Sequence, residues 1–94
     1  MKPNEKQINY SIEFLSSAAK EFRKLSLEVK HSLVDPINSL GINPYSYKSK
    51  KLANSDLYRI RVGDYRVVYY TNDKDKIVVI TKIGIEKKFI NNFL

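Results

Sequence analysis

The chain has 94 residues, of which 43% are apolar, and its formal net charge is +7, so we expect one domain with a single modest core. It contains no cysteine, which excludes disulfides and thiolate metal sites, and no segment reaches the roughly 20 apolar residues of a membrane span. The lack of cysteine and of a membrane span indicates a cytoplasmic protein. The excess of 17 lysines and arginines over 10 acidic residues favours a polyanionic partner, the alternative being an ordinary soluble basic protein.

The first half of the chain predicts one strand and two helices. Residues 8–14, INYSIEF, alternate apolar and polar side chains as strands do. Residues 15–25 repeat apolar side chains at helical spacing. Ser26 is a candidate N-cap for a second helix that Gly41 ends, and Pro36 should kink or restart that helix. The polar side of the first helix fits a solvated surface and carries Lys20, Glu21, Arg23 and Lys24.

The second half predicts a basic, mostly irregular connection over residues 45–56 and then three strands. The strands are expected at about residues 57–62, 65–71 and 76–83, with Gly84 interrupting the last one. The order β-α-α-β-β-β indicates an α+β fold, with an antiparallel sheet and both helices packed on one face. Residues 1–94 are expected to form this one domain.

The last three strands include a predicted hairpin. Gly63-Asp64 lies between two alternating runs, and a leading glycine is typical of a type II′ turn. This turn pairs Arg61 with Arg66 and separates the side chains onto two faces. The expected core face holds Tyr58, Ile60, Val62, Tyr65, Val67 and Tyr69. The opposite face holds Arg59, Arg61, Arg66, Val68 and Tyr70.

The arginine face has two interpretations. Like charges directly across a strand pair are destabilising, whereas permanently charged guanidinium forks suit phosphate. An anion site is therefore one interpretation, supported by Lys48, Lys50 and Lys51 upstream. Rings for base stacking would come from Tyr45, Tyr47 and Tyr70. The other interpretation is a solvated sheet face, or ion pairs with Asp56, Asp64 and Glu86.

The stretch KKLANSDLYRIRVGDYRVVYY, followed by an aliphatic strand that ends in KIG, resembles the RelE/ParE superfamily of toxins. The resemblance extends over most of the chain, since the two preceding helices also fit. It implies a RelE-like toxin of a type II toxin–antitoxin system, which cleaves messenger RNA in the ribosomal A site without a metal or other cofactor. A RelB-like antitoxin, acidic and partly disordered, would be the partner, and operator DNA would be bound only through that complex.

The resemblance also implies roles for individual residues. The family's basic catalytic residues on these strands correspond to Arg59, Arg61 and Arg66. Glu86 stands where RelE-like nucleases usually carry an arginine, and the tail has no tyrosine. The phenol of Tyr70, or Lys87, is the expected replacement as proton donor, and Glu86 itself is a candidate base. The expected RNA-binding lysines are Lys48, Lys50, Lys51, Lys82 and Lys88.

Two other functions compete with RNA cleavage. A ParE-like toxin poisons DNA gyrase without cutting nucleic acid, and a degenerate member would only bind its antitoxin and co-repress the operon. Because one fold serves all three functions, fold cannot decide among them. Neither His31 nor the loop Asp73-Lys74-Asp75 is expected to bind a metal, since a helix surface and a polar loop explain them.

Overall fold

The computed structural model of this protein describes residues 9–46 and 48–85, and these residues form two helices and five strands. In chain order they are β1 (Ser11–Phe14), α1 (Ser16–Arg23), α2 (Leu27–Leu40), β2 (Lys50–Lys51), β3 (Tyr58–Val62), β4 (Tyr65–Asn72) and β5 (Ile77–Ile85). The predicted α+β class is confirmed. None of these helices has the length and apolar character that crossing a bilayer requires.

The five strands form one sheet in the order β1-β5-β4-β3-β2. The strands β3, β4 and β5 form the expected antiparallel meander. The sheet as a whole is mixed, however, because β1 runs parallel to β5, with Ser11 opposite Ile77. Two helices separate β1 from the later strands and act as a crossover, which permits this parallel pairing. The short β2 is an addition within the predicted irregular connection and pairs antiparallel with β3.

The cap and the end of α2 depend on two different residues. The Ser26 hydroxyl accepts a hydrogen bond from the Val29 N–H at 3.2 Å, which confirms the predicted N-cap. The helix then runs through Pro36 to Leu40 as one element, so of the two predicted effects of Pro36, a kink or a restart, the restart is wrong. At Gly41 a side chain would not fit, because a Cβ atom there would lie 2.9 Å from the Tyr10 carbonyl oxygen.

The core lies between the helices and the inner face of the sheet. The Tyr69 side chain is fully buried, and its hydroxyl donates to the Pro44 carbonyl at 2.6 Å. Burial of each large apolar side chain contributes about 1.5–3 kcal/mol. The predicted core face of the hairpin is confirmed. The core cluster consists of Ala18, Leu33, Ile37, Leu40, Ile60, Val67, Tyr69, Val78, Ile80 and Ile83.

A bulge in β5 determines which of its side chains reach the core. Val68 pairs with Lys82, but the next residue of β4 pairs with Ile80, so Thr81 is an extra residue in β5. Ile80 and Ile83 are three positions apart and would point to opposite faces of a regular strand. The bulge lets both reach the core. It also places Lys82 on the opposite face, and β5 continues through Gly84 rather than ending there.

Candidate active site on the open face of the sheet

The face of the sheet that points away from the core cluster, here called the open face, is built by the predicted hairpin. Its register is confirmed, with Val62 opposite Tyr65 and Arg61 opposite Arg66. Gly63 has a φ of +61°, as the first central position of a type II′ turn requires. Alternation along the strands then places Arg59, Arg61, Arg66, Val68 and Tyr70 on this face.

Strand pairing arranges the cations of the open face in two rows. The first row crosses four strands and runs Lys50, Arg59, Val68, Lys82. The second row lies two positions along the strands and runs Arg61, Arg66, Gly84. Neighbouring strands are about 4.8 Å apart, and two residues along a strand span about 7 Å. Five cationic side chains therefore start from a patch about 15 Å wide.

The arginines of these rows differ in exposure. Arg61 is exposed, whereas Arg59 and Arg66 are half-buried. Among residues 9–46 and 48–85, Arg59 and Arg61 form no ion pair, so the interpretation in which they pair with Asp56 or Asp64 does not hold for these two. Their charges thus remain available to an anion.

Lys82 faces the arginines as predicted, and a residue of α1 holds it there. The Glu21 carboxylate lies 3.4 Å from the Lys82 ammonium and accepts the Ile83 backbone N–H at 2.9 Å. Strand β1 ends at Phe14, so beyond it Glu21 supplies the acceptor that a neighbouring strand would provide. The interpretation of Glu21 as part of a solvated surface is therefore wrong. These contacts join Glu21 to residues that lie 61 and 62 positions later in the chain, so no local sequence pattern could reveal them.

The other predicted lysines lie around this face in different places. Lys50 is in the first row. Lys51 pairs with Tyr58, so its side chain alternates to the other face of the sheet. Lys48 and Arg61 line a cleft of about 370 Å³ between α2 and β3. Tyr70 is 37% exposed. The remaining predicted residues, Tyr47, Glu86, Lys87 and Lys88, lie outside the described residues.

Asp73, which the sequence predicts only as part of a polar loop, anchors that loop. Its carboxylate accepts hydrogen bonds from the Tyr10 and Tyr45 hydroxyls at 2.9 Å. These bonds lower the pKa of Asp73 and, chiefly through the same hydrogen bond, raise the pKa of Tyr10 to about 12. Within the described part of the chain, no group of three or more histidine, cysteine or acidic side chains could hold a metal ion, and His31 is exposed on α2.

Comparisons with known proteins agree on one family. Residues 12–88 match a family model described as ParE toxin of type II toxin–antitoxin system, parDE. A Methanocaldococcus jannaschii protein that carries the name RelE1 toxin is 28% identical over 81 residues, covering 82% of this chain and 90% of that protein.

Solved structures resemble this fold over most of its length. The toxin in the intact E. coli RelBE toxin–antitoxin complex has a TM-score of 0.73 at 28% identity, covering 81% of this chain and 95% of that one. A chain of the Mycobacterium tuberculosis RelBE2 complex has a TM-score of 0.77 and covers 85% of this chain and 94% of that one. Its identity is 24%, so this second likeness concerns the fold alone.

Proposed function

This chain belongs to the ParE toxin family of type II toxin–antitoxin systems, and from that premise we propose that it is an endoribonuclease that cleaves messenger RNA in the ribosomal A site. The observation that carries the proposal is the pair of cationic rows on the open face. A purely structural sheet has no need to place Arg61 directly opposite Arg66, because like charges across a strand pair cost about 0.2–1 kcal/mol. A phosphate bound between the rows removes that cost.

The proposed reaction uses these cations for charge stabilisation. The RNA 2′-oxygen forms a bond to the adjacent phosphorus, the bond from phosphorus to the 5′-oxygen breaks, and a 2′,3′-cyclic phosphate results. Negative charge develops on the phosphorane oxygens, and fixed donors aimed at such oxygens are typically the largest catalytic contribution. Arg59, Arg61 and Arg66 would supply these donors, and the Lys82 ammonium, which is ion-paired with Glu21, would be a further N–H donor.

Two proton transfers complete the reaction. The 2′-hydroxyl loses its proton to a base, for which Glu86 is the candidate, and the leaving 5′-oxygen gains one from an acid. The Tyr70 phenol, which projects on the same face as the arginines, is the candidate acid, with Lys87 as the alternative. General acid–base help is worth about 10²–10⁴-fold, so the choice between these groups is measurable.

We further propose that a RelB-like antitoxin is the protein partner. The E. coli structure with the same fold is a toxin–antitoxin complex, and the net charge of +7 on this chain favours an acidic partner. A partly disordered antitoxin could cover the cationic rows and the cleft beside them, since disordered segments wrap large surfaces. Ribosome, messenger RNA and operator DNA, the last through the antitoxin complex, are the proposed nucleic-acid partners.

Inhibition of DNA gyrase is the second candidate function, because the matching family model carries the ParE name. One experiment separates the two. The toxin is induced with and without its antitoxin, and messenger RNA ends on ribosomes are mapped beside an assay for DNA double-strand breaks. Cuts within the A-site codon support the nuclease. Intact messages with broken DNA support the gyrase inhibitor, and neither lesion supports a protein that only binds antitoxin.

Variants of the arginines test the site itself. Arg59→Gln and Arg61→Gln should each strongly reduce A-site cuts, whereas Arg23→Gln on the exposed side of α1 should retain them with the same change in net charge. If Arg23→Gln loses cleavage equally, total charge rather than the open face determines activity.

A further inference from the structure

A second cleft adjoins the cationic rows where β3 begins. The pairing of β3 with β4 ends at Tyr58 and Tyr69, while β4 continues to Asn72. This leaves a notch in the sheet edge, with a volume of about 270 Å³. The cleft is lined by Tyr45, Lys51, Asp56, Tyr58, Tyr70 and Thr71.

The aromatic wall of the notch is held in place by contacts on its far side. The Tyr58 ring stacks on Tyr69 at 5.9 Å between centroids, and the Tyr45 ring meets Tyr58 edge-on at 5.3 Å. The Tyr45 hydroxyl is bound to Asp73 and Thr71. The wall therefore needs little ordering when a flat ligand enters, and such preorganisation favours binding.

Besides the rings, the notch is lined by one acceptor, Asp56, and one donor, Lys51. Asp56 belongs to a loop that is closed by hydrogen bonds from Leu52 N–H to the Leu57 carbonyl, at 2.8 Å, and from Leu57 N–H to the Ser55 hydroxyl, at 3.1 Å. Among the described residues the Asp56 carboxylate has no hydrogen bond or ion pair of its own. The Lys51 side chain lines the same space.

Tyr70 connects the notch to the arginine face of the sheet. Tyr70 lies two positions along β4 from Val68, and Val68 pairs with Arg59, so the backbones at Tyr70 and Arg59 are separated by about 7 Å along the strand direction. Lys51 and Tyr58 alternate onto the opposite face of the sheet from Arg59, so a base whose phosphate lies on the cationic rows would enter the notch at the sheet edge, past Tyr70. The volume is just below the usual range of about 300–1,000 Å³ for small-molecule sites, which suits a single base.

We propose that the notch is a nucleobase subsite that selects guanine next to the bound phosphate. Bases in single strands are read by ring stacking and through their Watson–Crick edges. Guanine is the base with two adjacent N–H donors on that edge, at N1 and N2, and a carboxylate accepts both. Its O6 acceptor then faces Lys51. Asp56 is the specificity-determining residue. That the selected base belongs to messenger RNA rests on the proposed nuclease function.

Binding of free nucleotides tests the subsite without requiring catalysis. The ¹⁵N-labelled full chain is titrated with the 5′-monophosphates of guanosine, adenosine, cytidine and uridine. Guanosine monophosphate should bind at least about fivefold more tightly than the others, since one bidentate base contact gives about 5- to 100-fold discrimination. It should shift the amide signals of Lys51, Asp56 and Thr71. Asp56→Asn should remove the preference, and Asp64→Asn, with the same charge change in the hairpin turn, should keep it.

Equal affinity for all four nucleotides in the parent would overturn the subsite, because it would mean that the phosphate alone is bound. A guanosine preference that survives in Asp56→Asn would overturn the role of Asp56.

Codon-resolved cleavage on programmed ribosomes provides the second arm. Asp56→Asn should redistribute cuts away from guanine while total cleavage persists. Cleavage with an unchanged base preference refutes the subsite and leaves the nuclease intact, whereas no cleavage by the parent refutes the nuclease and leaves the nucleotide titration to decide the subsite.

Discussion

Replacing Arg61 by glutamine should make the protein more stable and less active. Arg61 is exposed and lies directly opposite Arg66. In a two-residue hairpin the pair that flanks the loop, here Val62 and Tyr65, is hydrogen-bonded. The next pair, Arg61 and Arg66, is therefore of the non-hydrogen-bonded type, with Cα atoms about 4.5 Å apart. Two unit charges about 7 Å apart at the ends of such side chains repel by about 0.6 kcal/mol in water. Glutamine retains most of the side-chain length and removes this repulsion.

The expected gain is about 0.2–1 kcal/mol, equivalent to a rise of roughly 1–8 °C in the melting temperature of a domain of this size. Thermal unfolding at low salt measures it, and the gain should shrink toward zero in 1 M salt, where the screening length is about 3 Å. Cleavage should fall about 10²–10³-fold, as for loss of one transition-state donor. A variant that melts more than about 5 °C below the parent would show that Arg61 has a structural role, and a variant that cleaves as fast as the parent would show that Arg61 takes no part in cleavage.

Substitutions at three other positions test contacts around the site. Glu21→Ala should cost about 1–3 kcal/mol in urea unfolding, because the Ile83 N–H loses its acceptor, whereas Glu21→Gln retains an acceptor and should cost less than about 1 kcal/mol. Tyr69→Phe should cost about 1–3 kcal/mol by leaving the buried Pro44 carbonyl without its 2.6 Å hydrogen bond; an unchanged unfolding free energy would mean that water replaces it. Asp73→Asn should destabilise the folded protein at pH 7, and the difference in unfolding free energy from the parent should disappear as the pH falls below about 4. The pKa of Asp73 is lowered in the folded state, so the carboxylate stabilises the fold above its unfolded pKa of about 3.9, and this stabilisation is lost when the carboxylate is protonated. A difference that persists at pH 2 would contradict this account.

The hairpin and its arginine face could be predicted because their determinants are local. Gly63 specifies the turn, the turn specifies the register, and alternation then separates Ile60 and Val67 from Arg61 and Arg66. Each step uses residues that are close in sequence. This is why both the core side of the hairpin and the position of its arginines agree with the structure.

The features that were missed depend on contacts between distant parts of the chain. The parallel pairing of β1 with β5 joins segments that two helices separate, and alternation in a strand carries no information about its direction. The two-residue β2 is too short to show a pattern. The bulge at Thr81 appears only when β5 is aligned with β4, and the role of Glu21 requires α1 to lie along the edge of β5.

The salt dependence of RNA binding gives a count of the open-face cations that contact phosphate. Binding of single-stranded RNA releases counterions, and log K falls with log salt with a slope of about −0.7 for each phosphate neutralised. If Arg61 contacts a phosphate, Arg61→Gln should reduce the magnitude of the slope by about 0.7, and Arg23→Gln, which changes the same charge on α1, should leave it nearly unchanged. Filter binding of an uncleavable RNA between 50 and 200 mM salt, the range over which added salt strongly weakens binding that depends on phosphate contacts, provides the slopes. Because the stability gain from Arg61→Gln and the loss of slope come from the same guanidinium, both should appear in one variant. A gain in stability with an unchanged slope would mean that Arg61 is repelled by Arg66 but does not contact RNA, and the phosphate would then have to lie on the row of Lys50, Arg59 and Lys82.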